Sequence, residues 1–299
     1  MFNYRIAKPV RIIVLVGIAV ALCACSTVKL AYDSLPRVAG WWLDGYVDLS
    51  QAQELQLRAD FAQLHQWHRH EELPKVGALL RQAERIATSE TTPQEVCALV
   101  PEIQERILAL SSRAEPVAAT LALGLSPAQL VQLEKKYQKN NAEYRKEWVE
   151  LAPAEVRDKR IKQYVERLES FYGRLDHSQR ETIRAQVEHS VFDPAKNLVE
   201  RQRRQKDILL TLRQLASQPA PMSQAPSSLH GLVDRAFHSP DPAYLAYQDA
   251  LIQEGCTNLA ALHQSTTSQQ RQTAARLLRA YQRAVSELVA EQWSRRAPV

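Results

Sequence analysis

The chain has 299 residues, 45% of them hydrophobic and 24% charged, with only eight glycines, and Ala, Leu, Gln, Glu and Arg dominate it. That length buries a core without staples, and a composition poor in glycine and rich in straight-chain residues disfavours a turn-rich β architecture and favours helices. The formal charge of +5 falls to +2 once Arg5, Lys8 and Arg11 are set aside as part of a segment expected to be removed, and a mature domain so near neutrality lacks the concentrated basic face that nucleic acid requires.

Residues 1–11 carry those three positive charges and no acid, and residues 12–24 contain no charged side chain. Such a run rises about 20 Å as a helix, short of the ~30 Å hydrocarbon core, which is the pattern of a signal-peptide apolar region. Leu22-Cys23-Ala24-Cys25 resembles the lipobox of bacterial lipoproteins. Cleavage before Cys25 leaves small Ala24 at the cut, whereas cleavage before Cys23 would leave bulky Leu22 there. The expectation is therefore a signal peptide over 1–24, lipidation of Cys25 and a membrane partner held through that lipid. A retained N-terminal anchor with an incidental cysteine is the other reading, and both put the bulk of the chain outside the cytoplasm. Ser26 rather than Asp follows the cysteine, and by resemblance to enterobacterial sorting this favours the outer membrane, facing the periplasm.

Residues 25–47 form a tether with an aromatic segment, Trp41-Trp42-Leu43-Asp44-Gly45-Tyr46-Val47-Asp48. With Trp67-His68-Arg69 and Glu72-Leu73-Pro74 it resembles a family of uncharacterised proteobacterial lipoproteins that carry WWLDGYxD soon after the lipidated cysteine. That resemblance implies no known reaction. Two physical readings stand: an interfacial anchor, because indole and phenol rings favour the headgroup zone, or rings that cap the end of a helical core.

Helix starts are then announced by caps. Ser50-Gln51-Ala52-Gln53, Thr92-Pro93-Gln94-Glu95, Ser126-Pro127-Ala128-Gln129, Asp176-His177-Ser178-Gln179 and Thr267-Ser268-Gln269-Gln270 place a cap three residues before Gln or Glu. Asp193-Pro194 and Asp241-Pro242 place Pro at the first helical position. Between them His65, His68, His70, Glu71 and Glu72 offer either half of a metal site or a polar helix face; no HExxH signature or distant partner completes a site, and no metal is expected. Apolar residues recur at helical spacing in Leu99, Ile103, Ile107, Leu110, Val117 and Leu121, in Leu130, Leu133, Tyr137, Tyr144, Trp148 and Leu151, and in Ile161, Tyr164, Leu168, Phe171 and Leu175. Asn140-Asn141 interrupts the second series. Leu49-Ser50-x-x-Gln53 and Leu125-Ser126-x-x-Gln129 also resemble the periplasmic LTxxQ helical chaperones, with departures at Asp176 and at Thr266; the same strings are plain capping boxes.

Arg201, Arg203, Arg204 and Lys206, with Arg157, Lys159, Arg160 and Lys162 upstream, suggest either a basic binding stripe for anionic lipid or acidic clients, or a solvated face. Residues 217–228, SQPAPMSQAPSS, read as a linker between a main helical body at 48–216 and a C-terminal subregion at 229–299 packed on it. Cys97 and Cys256 are the pair left in an oxidising compartment, either bridged or buried as separate thiols.

The fold expected is thus an all-α multi-helix bundle of capped amphipathic helices after a cleaved lipoprotein signal peptide. No nucleophile motif, glycine-rich phosphate loop or carboxylate pair stands out, so no catalytic residue and no cofactor is expected. The function expected is a non-enzymatic scaffold, adaptor or chaperone-like protein that binds a polypeptide or envelope component. The alternative is a peptidoglycan-acting hydrolase of the cell envelope.

Overall fold

The computed structural model describes residues 7–217 and 225–294, and every regular element among the described residues is a helix. In chain order these are α1 (Ala7–Val47), α2 (Gln51–Trp67), α3 (Leu73–Thr88), α4 (Pro93–Cys97), α5 (Leu99–Leu123), α6 (Pro127–Tyr144), α7 (Pro153–Tyr172), α8 (His177–Glu188), α9 (Pro194–Ser217), α10 (Ala225–Phe237), α11 (Pro242–Gln264) and α12 (Ser268–Ser294). Each start announced by a cap is a helix start. Ser50, Thr92, Ser126 and Asp176 accept from the backbone N–H three residues on, and the Gln or Glu there reaches back to the cap, so two orphan donors are satisfied at once.

The capped turns also organise the tertiary structure. Four units share one plan: a helix, a short turn and a capped helix (α1–α2, α5–α6, α7–α8, α11–α12). In the first pair of units α1 packs on α6 and α5 on α2; in the second, α7 packs on α12 and α8 on α11. At each crossing the capping glutamines meet. Gln129 Nε2 donates to Gln53 Oε1 at 2.7 Å and to the Asp48 carbonyl at 3.0 Å, while Gln53 Nε2 donates to the Gly124 carbonyl at 2.9 Å. Gln179 and Gln270 exchange bonds of 2.9 and 2.8 Å and donate to the carbonyls of Ser265 and Arg174. Beside the first pair, Leu49, Leu57, Leu125, Leu130 and Leu133 form one core; beside the second, Tyr172, Leu175, Ile183, Val187, Leu262 and Leu278 form another.

The two pairs are not independent, because α12 lies along α3 and against α1. Small residues allow that approach: Ala87, Ala274, Ala275 and Ala284 are buried, and a Cβ on Gly77 would lie 3.3 Å from Val285 Cγ1. Cys97 and Cys256 are joined by a disulfide that ties α4 to α11. Of the segment read as a linker, Ser217 ends α9 and residues 225–228 open α10, while 218–224 lie outside the described residues.

The segment after Cys25 is helical through Val47. Pro36 inside α1 lacks an N–H, so the Tyr32 carbonyl loses its helical donor, and His65 Nε2 takes that place at 3.1 Å. The α1 helix stops at Asp48, which adopts a left-handed φ of 54°, while Asp44 Oδ1 accepts the Leu49 N–H at 2.9 Å. Asp44 and Asp48 of the aromatic motif are therefore a helix terminator, the one by its carboxylate and the other by tolerating that backbone. Asn140 and Asn141, which break an apolar series, donate to Tyr46 Oη and Gln205 Oε1. The α5 stripe is only partly covered: Val117 and Leu121 reach the core, but Ile103, Ile107 and Leu110 are exposed. Among the described residues no single helix is long and apolar enough to cross a membrane.

Candidate functional site

The site begins at the seam between the two helical pairs. The chain leaves α6 through a π-helical turn, Arg145–Val149, a departure from α geometry that recurs at functional sites. There Tyr144 and Trp148 stack with ring centroids 6.4 Å apart, and Trp148 meets the Phe192 ring edge-on at 5.8 Å. Phe192 is fixed by the turn between α8 and α9, where Ser190 Oγ and the Val191 N–H both donate to Glu254, at 2.5 and 2.8 Å, and Tyr247 Oη accepts the Asp193 N–H at 2.9 Å. From α7 come Arg160, Gln163, Tyr164 and Arg167, and α11 supplies Leu251; together these residues enclose a cleft of about 430 Å³.

Arg160 forms its inner wall. The side chain is only 9% exposed, with the guanidinium carbon 4.4 Å from the Phe192 ring centroid and 5.7 Å from that of Tyr164. Its only ion-pair partner among the described residues is Glu254 at 3.8 Å, beyond hydrogen-bond distance. Lys159, which does not line the cleft, has Nζ 4.2 Å from the Trp148 ring centroid and donates to the Glu147 carbonyl at 2.9 Å. Burial raises the Tyr144 phenol above its ordinary value, against a hydrogen bond with Asn197 that lowers it. No lining residue is a carboxylate or a thiol.

A second feature lies on α1. At helical spacing Leu30, Leu35, Val38, Trp41 and Trp42 share an arc that carries no charged residue, and all five are exposed, Trp41 by 75%. The ring that caps the core is Tyr46, 4.6 Å from Trp42 and packed with Leu43 on the first core; the two tryptophans do not cap it.

The residues singled out in the sequence are dispersed. Cys25 falls in α1, and its side chain lies outside the described residues. The basic stripe does not form. Arg203 and Arg204 turn to buried Glu200, at 2.7 Å each, Arg201 lies 5.6 Å from the Tyr144 ring centroid, and Lys206 lines a separate groove with Tyr137 and Asn141. The reason is local: Glu200 stands three and four residues before the two arginines, so one helix face carries both signs. Nor do the histidines gather. His65 and His68 both serve Tyr32, by its carbonyl and its hydroxyl, Arg69 pairs with Asp33, and Glu72 accepts Lys75 and Arg106 at 2.7 and 2.9 Å. His65, His68 and Arg69 thus hold α1 on the body while Glu72 ties α3 to α5, and among the described residues no cluster of three candidate ligands could hold a metal.

Arg160 was visible in the sequence only as one member of an upstream basic run, and Tyr144, Trp148 and Tyr164 only as members of apolar stripes. The available signal was a run of large rings where a buried stripe uses aliphatic residues. No curated protein and no solved structure matches the chain. A model of a family of unknown function, DUF6279, matches residues 45–223, a span that begins at the last residues of α1 and holds α2 to α9 and every cleft residue except Leu251. By that match the chain belongs to the DUF6279 family.

Proposed function

We propose that the protein is a non-enzymatic lipoprotein of the cell envelope, anchored through acyl chains on Cys25 in the outer membrane and facing the periplasm, where its helical body binds a polypeptide or envelope component. The observation that carries this reading is the cleft: four aromatic rings around a buried, underpartnered guanidinium, lined by groups suited to holding a ligand rather than to attacking one. The charge-free arc of α1 supports the anchor, since Trp41 and Trp42 extend toward the body the apolar character of the run that ends at Cys25.

The test has two arms. Cells fed a labelled fatty acid should label the wild type and leave Cys25→Ala unlabelled as a full-length precursor. The detergent-solubilised mature protein should release no fragments from peptidoglycan. An unlabelled wild type removes the anchor, and steady turnover of peptidoglycan replaces the binding reading with the hydrolase.

A further inference from the structure

We infer that the cleft between α6, α7 and α11 takes the free carboxylate of a peptide C-terminus whose last side chain is apolar or aromatic, with Arg160 holding the carboxylate. This rests on the binding reading above and names its ligand class.

The Arg160 nitrogens are not among the buried atoms left without a partner, so its N–H groups open to the water of the cleft, where a ligand anion can replace that water. Arg160 carries five N–H donors, yet makes no hydrogen bond among the described residues, and Glu254 at 3.8 Å is already occupied by Ser190 and Val191. Phe192 covers one face of the guanidinium region and Tyr164 flanks it, so what remains for a ligand is the edge that carries the N–H groups. The group that matches an edge of parallel N–H donors is a planar acid with two oxygens, bound bidentately.

Charge separates a carboxylate from a phosphate. Glu254 offsets part of the Arg160 charge, Lys159 is paired with Glu147 and does not line the cleft, and Arg167 is the one cation besides Arg160 among the lining residues. That balance suits a single negative charge. Phosphate sites gather more cations than the two arginines that line this cleft, or the N–H groups of a helix N-terminus.

The walls choose what the carboxylate is attached to. Tyr144, Trp148, Tyr164 and Leu251 offer ring faces and aliphatic surface, and about 430 Å³ holds one or two residues. A sugar acid would bring several hydroxyl donors, and the lining supplies no carboxylate to accept them. A peptide end with an apolar last residue leaves no such donors unmet.

The experiment is calorimetric titration of the detergent-solubilised mature protein with four probes: an acetylated tripeptide ending in Phe with a free carboxylate, the same peptide as its C-terminal amide, glucuronate and inorganic phosphate. The acid should bind at least about tenfold more tightly than the amide, the scale of a charge-assisted hydrogen-bond pair, and more tightly than either small anion. Arg160→Gln should erase the preference for acid over amide with circular dichroism unchanged. Trp148→Ala should weaken acid and amide together and keep the preference. Equal binding of acid and amide by the wild type, which needs no variant, overturns the inference, as does a preference that survives Arg160→Gln. Tighter, Arg160-dependent binding of glucuronate or phosphate overturns the peptide end while the binding reading stands. Binding of none of the four overturns the inference alone, since the binding reading is tested by turnover and by capture in cells.

Discussion

Glu200 is 3% exposed, and burial alone would raise its carboxyl; hydrogen bonds from Arg203 and Arg204 and their charges outweigh that and hold it below the ordinary carboxylate value. Its depressed value makes the contribution to stability present above the unfolded pKa and lost as pH falls through the folded one. Replacing Arg203 and Arg204 together by Gln leaves the carboxylate without a cation and with only the Ser239 hydroxyl as donor among the described residues, and urea unfolding should show a loss of about 3 kcal/mol. A loss within about 0.5 kcal/mol, the ordinary range for surface changes, would return the arginines to the solvated stripe suggested by their sequence. His263 works in the same direction on a different pH range. Its Nε2 donates to the Ser89 carbonyl at 2.8 Å, so Nδ1 is the acceptor for Tyr172 Oη at 2.9 Å and the ring is neutral. Burial lowers its pKa from the ordinary 6.5, with the Ser89 bond opposing, and burial raises Tyr172 to about 12. Stability from His263 is therefore complete above the unfolded pKa and declines as pH falls below it, by at most about 1.4 kcal/mol per pH unit. Melting temperatures at about pH 7.5 and 5.5 should diverge in the wild type and diverge less in His263→Gln, which keeps His65 and His68, both also lowered by burial, while exposed His230, raised by its hydrogen bond to Glu115, contributes oppositely in both.

At the scale of elements, the crossed glutamines carry the argument. A capping box predicts that Gln129 or Gln179 bonds its own cap, and each does, at 2.9 and 3.1 Å. The sequence rule stops there, because the amide has further hydrogen-bonding capacity and nothing local says where it goes. In the structure that capacity joins two turns far apart in the chain, and a local signature becomes a tertiary contact. The two crossings differ in burial: Gln179 is 1% exposed and Gln270 9%, whereas Gln53 and Gln129 are only half-buried. Gln179→Ala should therefore cost about 3 kcal/mol, leaving the Ser265 carbonyl and the Gln270 amide short of partners, and Gln53→Ala about 1 kcal/mol, since water replaces what it loses. Chemical denaturation of the two variants decides this; equal losses would mean that the crossings are caps and nothing more. The stripes were read with mixed success for a related reason. Helical spacing identifies a face but not its cover, so Ile161, Leu168 and Phe171 pack on a core while Ile103 and Ile107 remain exposed.

For the whole molecule, helix class and most helix starts were readable because composition and caps act within a few residues. The cleft was not, because its walls come from α6, α7, the turn before α9 and α11, which lie far apart in the chain. Arg160 lies next to Ile161 in the sequence, and no spacing rule separates an arginine that points to water from one sealed behind Phe192. The proposal places binding in this cleft, held out from a membrane by a lipidated N-terminus. Gln163 lines the cleft and is exposed, so a photo-crosslinking residue placed there in living cells reports on its occupant. Irradiation should yield a discrete adduct in the membrane fraction, lost when Arg160→Gln is added and absent when the same residue replaces exposed Glu166 outside the lining. No adduct from Gln163, or the same adducts from Glu166 or in the presence of Arg160→Gln, would contradict it.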